Sequence, residues 1–111
     1  MKVTITSIEL KGPLKYFALS RMAWNIMKQL KTAEYLDFKK SGFWTTHYTM
    51  TLWRSETEMK EFAHGGAHKT AMINSKRIAK EIRTITIDAN QLPKWNIAKR
   101  LLKNGKVMRF D

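Results

Sequence analysis

Residues 43–53, FWTTHYTMTLW, hold no Gly, Pro, Asp, Asn, Glu, Lys or Arg and consist mainly of aromatic and β-branched side chains. Such side chains suit a pleated, half-buried surface, and the run reads as the clearest strand in the chain. Alternation puts Trp44, Tyr48, Met50 and Leu52 on one side and Phe43, Thr45, His47, Thr49, Thr51 and Trp53 on the other. Two more segments share this period. Residues 2–10 set Val3 and Ile5 against Thr4 and Thr6, and EIRTITIDA at 81–89 sets Ile85 and Ile87 against Thr84 and Thr86.

Between these strands the period lengthens. After KGP at 11–13 interrupts the first strand, Tyr16, Leu19, Ala23, Ile26 and Leu30 recur at helical spacing, flanked by Phe17, Trp24 and Met27. EYLDFKKSG at 34–42 reads as a short second strand closed by a Ser-Gly turn. In SETEMKEFAH, Ser55 is an N-cap with Glu58 as its capping-box partner, and Met59 and Phe62 form the buried face. Gly65 and Gly66 then break the helix, and helical spacing resumes through Ala67, Ala71, Met72, Ile78 and Ala79. Beyond NQLP, residues 94–103 predict a basic helix carrying Trp95, Ala98, Leu101 and Leu102, and KVMRF an arm.

The order β, α, β, β, α, β with a C-terminal helical extension predicts a ferredoxin-like α+β fold with an antiparallel sheet. The chain's 111 residues suffice for one core, so a single domain is expected over 1–111, with its core at about 1–90 and the extension at about 91–111. Helices would cover one face. The other, threonine-rich face is too mixed for free water, which predicts a homodimer through the sheet faces.

Composition narrows the partners. With 21 Lys plus Arg against 9 Asp plus Glu, the formal charge is +12, which favours polyanions in general. The cations are spread along the chain, so salt-sensitive, sequence-independent nucleic-acid binding is the most that charge implies. Cysteine is absent, which removes disulfides and thiolate metal sites. No apolar run is long enough for a transmembrane segment and the N-terminus lacks a signal-peptide pattern, so a cytoplasmic protein is expected.

The segment TLWRSETEMKEFAHGGAHKTAM resembles the dimeric α/β-barrel superfamily of antibiotic-biosynthesis monooxygenases, and within it the spheroidene-monooxygenase-like small proteins. The matching residues are Thr51-Leu52-Trp53, Ser55-Glu56, Phe62, and Gly66-Ala67-His68 with Ala71-Met72. The resemblance implies a dimeric barrel and oxidation of a small apolar, aromatic or polyene substrate, with either no cofactor or haem. Members that degrade haem use an Asn on the first strand and a Trp and a His on the second helix. Here the first strand has no Asn, and the other two positions hold Phe62 and Met72, which disfavours that triad.

The resemblance and the residues together nominate His68 and Tyr48 as catalytic, and Trp24, His47, Trp53, Phe62, His64 and Met72 as pocket residues. In an unbroken helix His64 and His68 would share a face with Glu61 one turn earlier, but the glycines spoil that metal geometry, and no metal site is predicted. His68 is expected at the mouth of a pocket and His64 towards solvent. His47, among threonines, suits a hydrogen bond at an interface or on a ligand. The RNA-recognition motif shares this element order, yet VTITSIEL offers no stacking aromatic, and Thr45 and His47 stand where further rings are required. A non-catalytic ligand-binding or structural dimer is the remaining alternative.

Overall fold

A computed structural model of the chain describes residues 1–31, 35–64 and 75–110. Five strands, β1 (Lys2–Leu10), β2 (Tyr35–Phe43), β3 (Thr46–Trp53), β4 (Ala79–Asp88) and β5 (Lys106–Arg109), form one sheet in the order β2-β3-β1-β4-β5. Every neighbouring pair is antiparallel. The described helices are α1 (Tyr16–Leu30), α2 (Glu56–Ala63) and α3 (Trp95–Leu102). Removing β5 and α3 leaves the βαββαβ order, so the ferredoxin-like α+β reading holds.

Register divides the side chains. Val3, opposite Leu52 and Ile87, and Ile5, opposite Met50 and Ile85, form one face. Amphipathic α3 closes this face with Ala98 and Leu102, which lie in one cluster with Val3, Ile5, Met50 and Leu52. Trp95 and Leu101 pack at its margin. The C-terminal extension is therefore part of the core, and its last residues pair as β5 with β4.

The threonine face is partly covered. Thr4 Oγ1 donates to Met59 Sδ of α2 at 2.9 Å, and Thr86 Oγ1 lies 3.8 Å from the same sulfur. Trp53, 2% exposed, stacks tilted on Phe62 of α2 with centroids 5.2 Å apart. Helices α1 and α2 thus stand over the face expected to dimerise, and the extension covers the other. The physical reason is that threonine methyls and hydroxyls satisfy a helix carrying Met59 and Phe62, while the all-aliphatic face takes the more amphipathic α3. Thr49 and Thr86 stay exposed on this face, and the homodimer expected through it remains a proposal.

Two boundaries also move. The turn between β2 and β3 is Trp44–Thr45, not Ser41-Gly42, because Ser41 and Gly42 pair with Tyr48 and His47. Ala79 opens β4 by pairing with Leu10 across a bulge at Glu9/Leu10, so it is not helical, and Ser75–Arg77 before it is a single 3-10 turn. Helix α1 buries only Leu30, despite its wide apolar stripe. By contrast, Ser55 Oγ accepts from Glu58 N–H at 3.3 Å, the cap expected for α2.

Candidate active site

The β2–β3 hairpin and the start of α1 enclose the site. Pro13 opens a 3-10 turn that leads directly into α1, which brings Tyr16 and Phe17 over the hairpin. With Gly42, Trp44 and His47 these residues line an open cleft of about 360 Å³. The Tyr16 ring lies 5.4 Å from the imidazole of His47, tilted by 32°, and Phe17 meets Tyr16 edge-on at 6.4 Å.

Two local features orient His47. Its cross-strand partner is Gly42, where a Cβ would collide with the imidazole Nδ1 and stand 3.1 Å from His47 Cα, so only glycine leaves room for the ring. Trp44 occupies the first turn position with φ 59°, a value that glycine ordinarily takes in a two-residue hairpin. This bend aims the Trp44 carbonyl back at His47, whose Nε2 lies 3.1 Å away. A carbonyl only accepts, so Nε2 carries the proton in the neutral ring, and Nδ1 keeps its lone pair beside Gly42. Trp44 itself is 68% exposed at the cleft's rim.

Glu9 fixes the hairpin from below. Its carboxylate accepts from Thr45 Oγ1 at 2.6 Å and from Thr46 Oγ1. Burial works against the charge, but these two bonds, with Lys80 and His47 nearby, outweigh it and hold the Glu9 pKa below its ordinary value.

The nominated residues divide between two faces. His47, Trp53 and Phe62 lie on the side of α1 and α2, where Gln29 Nε2 of α1 donates to Phe62 O at 3.1 Å and joins the helices. Tyr48 lies on the opposite side, 6.2 Å from Trp95, with Lys99 Nζ 4.8 Å from its ring centroid. It therefore cannot share a pocket with His47 or Trp24, since adjacent strand residues point to opposite faces. Trp24 is 64% exposed on α1, with Lys28 Nζ 5.5 Å from its ring. His64 caps α2 and is exposed. His68 and Met72, with the HGGAH glycines, lie outside the described residues. Among the described residues, no group of three His, Asp or Glu side chains is placed to hold a metal ion.

Sequence reasoning missed Pro13, Tyr16, Phe17, Gly42 and Trp44 as lining residues. The available signal was Gly42 inside a strand-forming run, which marks a close approach.

No family model matches the chain, and no curated protein matches it in sequence. Solved structures do match. The chain has the fold of the antibiotic-biosynthesis monooxygenases. It aligns with one such structure at TM-score 0.71 and 9% identity, covering 84% of this chain and 100% of that one. SnoaB of Streptomyces nogalater, a cofactor-independent oxygenase, aligns at TM-score 0.61 and 10% identity over 84% of this chain and 97% of that one. A conserved protein of Methanosarcina mazei Go1 aligns at TM-score 0.72 and 11% identity over 80% and 92%. At these identities the likeness concerns the fold.

Proposed function

We propose that the protein is a monooxygenase-like protein that takes a small apolar or aromatic substrate in the cleft between α1 and the β2–β3 hairpin. The observation that carries this reading is His47, a base with a defined lone pair at Nδ1, set among the rings of Tyr16, Phe17 and Trp44. Aromatic rings offer a flat substrate surfaces to stack on, with the imidazole beside them.

His47 would take a proton from an acidic C–H or O–H of the substrate at Nδ1 while Nε2–H stays on the Trp44 carbonyl. The substrate anion then supplies the electrons that reduce dioxygen. For an activated methylene, one dioxygen turns the methylene into a carbonyl and leaves one water, so the substrate is the only electron donor and no external reductant enters. This route needs no haem, because the substrate supplies the electrons; a Soret shift on adding haem would favour the haem-dependent alternative instead.

His68, outside the described residues, is retained as a catalytic candidate on the resemblance alone, and the spheroidene-monooxygenase-like resemblance suggests a polyene as the alternative substrate class. A homodimer is retained on the likeness of fold alone, and mass by light scattering decides it. The test of function is oxygen consumption with phenolic, quinol and polyene substrates. Turnover lost in His47→Ala, with Tyr16→Ala weakening substrate binding, supports the cleft. Binding without oxygen uptake would identify a ligand-binding module instead.

A further inference from the structure

We infer that the outward face of α1 docks on anionic lipid bilayer surfaces. Phe17, Arg21, Trp24, Lys28 and Lys31 follow one another at spacings of four, three, four and three along the helix, which is a single stripe of alternating aromatic and basic side chains. All five are exposed, Phe17 by 73% and Trp24 by 64%. Leu14, 78% exposed, extends the stripe at its N-terminal end, and Trp44 stands exposed across the cleft that Phe17 also lines.

Charge selects the occupant. From Leu10 to residue 33 the sequence contains no Asp or Glu while carrying Lys11, Lys15, Arg21, Lys28 and Lys31, so this face of a +12 chain complements an anionic surface. A single-stranded nucleic acid shares that charge, but it needs open ring faces for stacking. Lys28 Nζ sits 5.5 Å from the Trp24 centroid, and Phe17 is engaged edge-on by Tyr16. A lysine folded along a tryptophan, with the aliphatic Leu14 at the stripe's other end, suits the headgroup boundary, where rings and stems enter the acyl layer and cations remain at phosphate level.

The test is cosedimentation of the full chain with vesicles of phosphatidylcholine alone or mixed equally with phosphatidylserine. Binding is expected to the mixed vesicles and to decline with salt. Each surface cation removed lowers partitioning about fivefold, so Arg21→Gln with Lys28→Gln reduces it about 25-fold. Trp24→Ala lowers it roughly tenfold. These positions are exposed, and circular dichroism verifies that the fold persists. Leu14→Ala separates the polyanions, since it weakens vesicle binding while leaving capture of a single-stranded oligonucleotide unchanged. The proposal is overturned by any of three results: no preference for phosphatidylserine vesicles, wild-type binding by the double Gln variant, or a dimer that Trp24→Ala converts to monomer, which would make a second copy the occupant.

Discussion

Gly42→Ala isolates the contact on which the cleft depends. The added Cβ meets the imidazole at Nδ1 and Cγ, and 3.1 Å from His47 Cα it leaves the backbone no slack, so the ring must rotate away. Rotation loses the bond from Nε2 to the Trp44 carbonyl, about 0.5 kcal/mol at an exposed position. It also loses the Tyr16 ring contact, on the order of 0.5–1.5 kcal/mol. Alanine restricts the unfolded chain more than glycine, which returns roughly 0.4–1 kcal/mol. The net expectation is a loss of about 0–1.6 kcal/mol in denaturant unfolding. In a His47→Ala background the clash disappears, and the same substitution becomes neutral or stabilising. A double-mutant cycle should therefore give a coupling of about 1–2 kcal/mol. Equal penalties in both backgrounds would refute the role assigned to this pair, as would undiminished substrate turnover with Nδ1 blocked.

Leu102→Ala, which truncates a side chain 3% exposed between α3 and the sheet, is expected to cost about 2–5 kcal/mol in denaturant unfolding and so to distinguish a core helix from an appendage. Glu9→Gln tests the hairpin clamp through pH. Because the folded pKa is lowered, the stabilisation from the carboxylate is complete above its ordinary value of 4.5 and disappears as pH falls through the folded value. The variant should therefore be less stable at neutral pH and converge with the parent in acid, and parallel pH–stability curves would refute the clamp. His68→Ala is expected to reduce turnover or ligand binding more than His64→Ala with both folds retained, and equal behaviour in every ligand assay would make HGGAH a structural break only.

Element type was largely legible because period is a local property. The alternation of Val3/Ile5, Met50/Leu52 and Ile85/Ile87 survives unchanged as one buried face. Which helix would cover which face was not legible, since that depends on competition between helices for two surfaces. Helix α3 has only eight residues, and the sequence places it in an extension beyond the core expected at about 1–90. Yet it buries Ala98 and Leu102 in the core, and Lys99 lays its ammonium over the Tyr48 ring. Composition by face, more than net charge, decided its place.

The β2–β3 hairpin was misread at its turn. Ser-Gly is a strong turn signal, and Trp-Thr is a poor one, so residues 41–42 displaced 44–45 in the reading. Glycine at 42 answers a different demand, since its missing Cβ makes room for His47 across the pair, and that demand is invisible without register. Once Gly42 is spent on the imidazole, Trp44 must take φ 59° itself. Positive φ in a bulky residue is costly, commonly about 1–3 kcal/mol, and such positions persist where surrounding structure holds them. Here the holding contacts are the Glu9 bonds to Thr45 and Thr46 and the bond between Nε2 and the Trp44 carbonyl. Replacing Trp44 by glycine should therefore stabilise the hairpin while removing a wall of the cleft. Higher stability with weaker ligand binding is the expected pair of results. Lower stability would show that the Trp44 ring, not its backbone, maintains the turn.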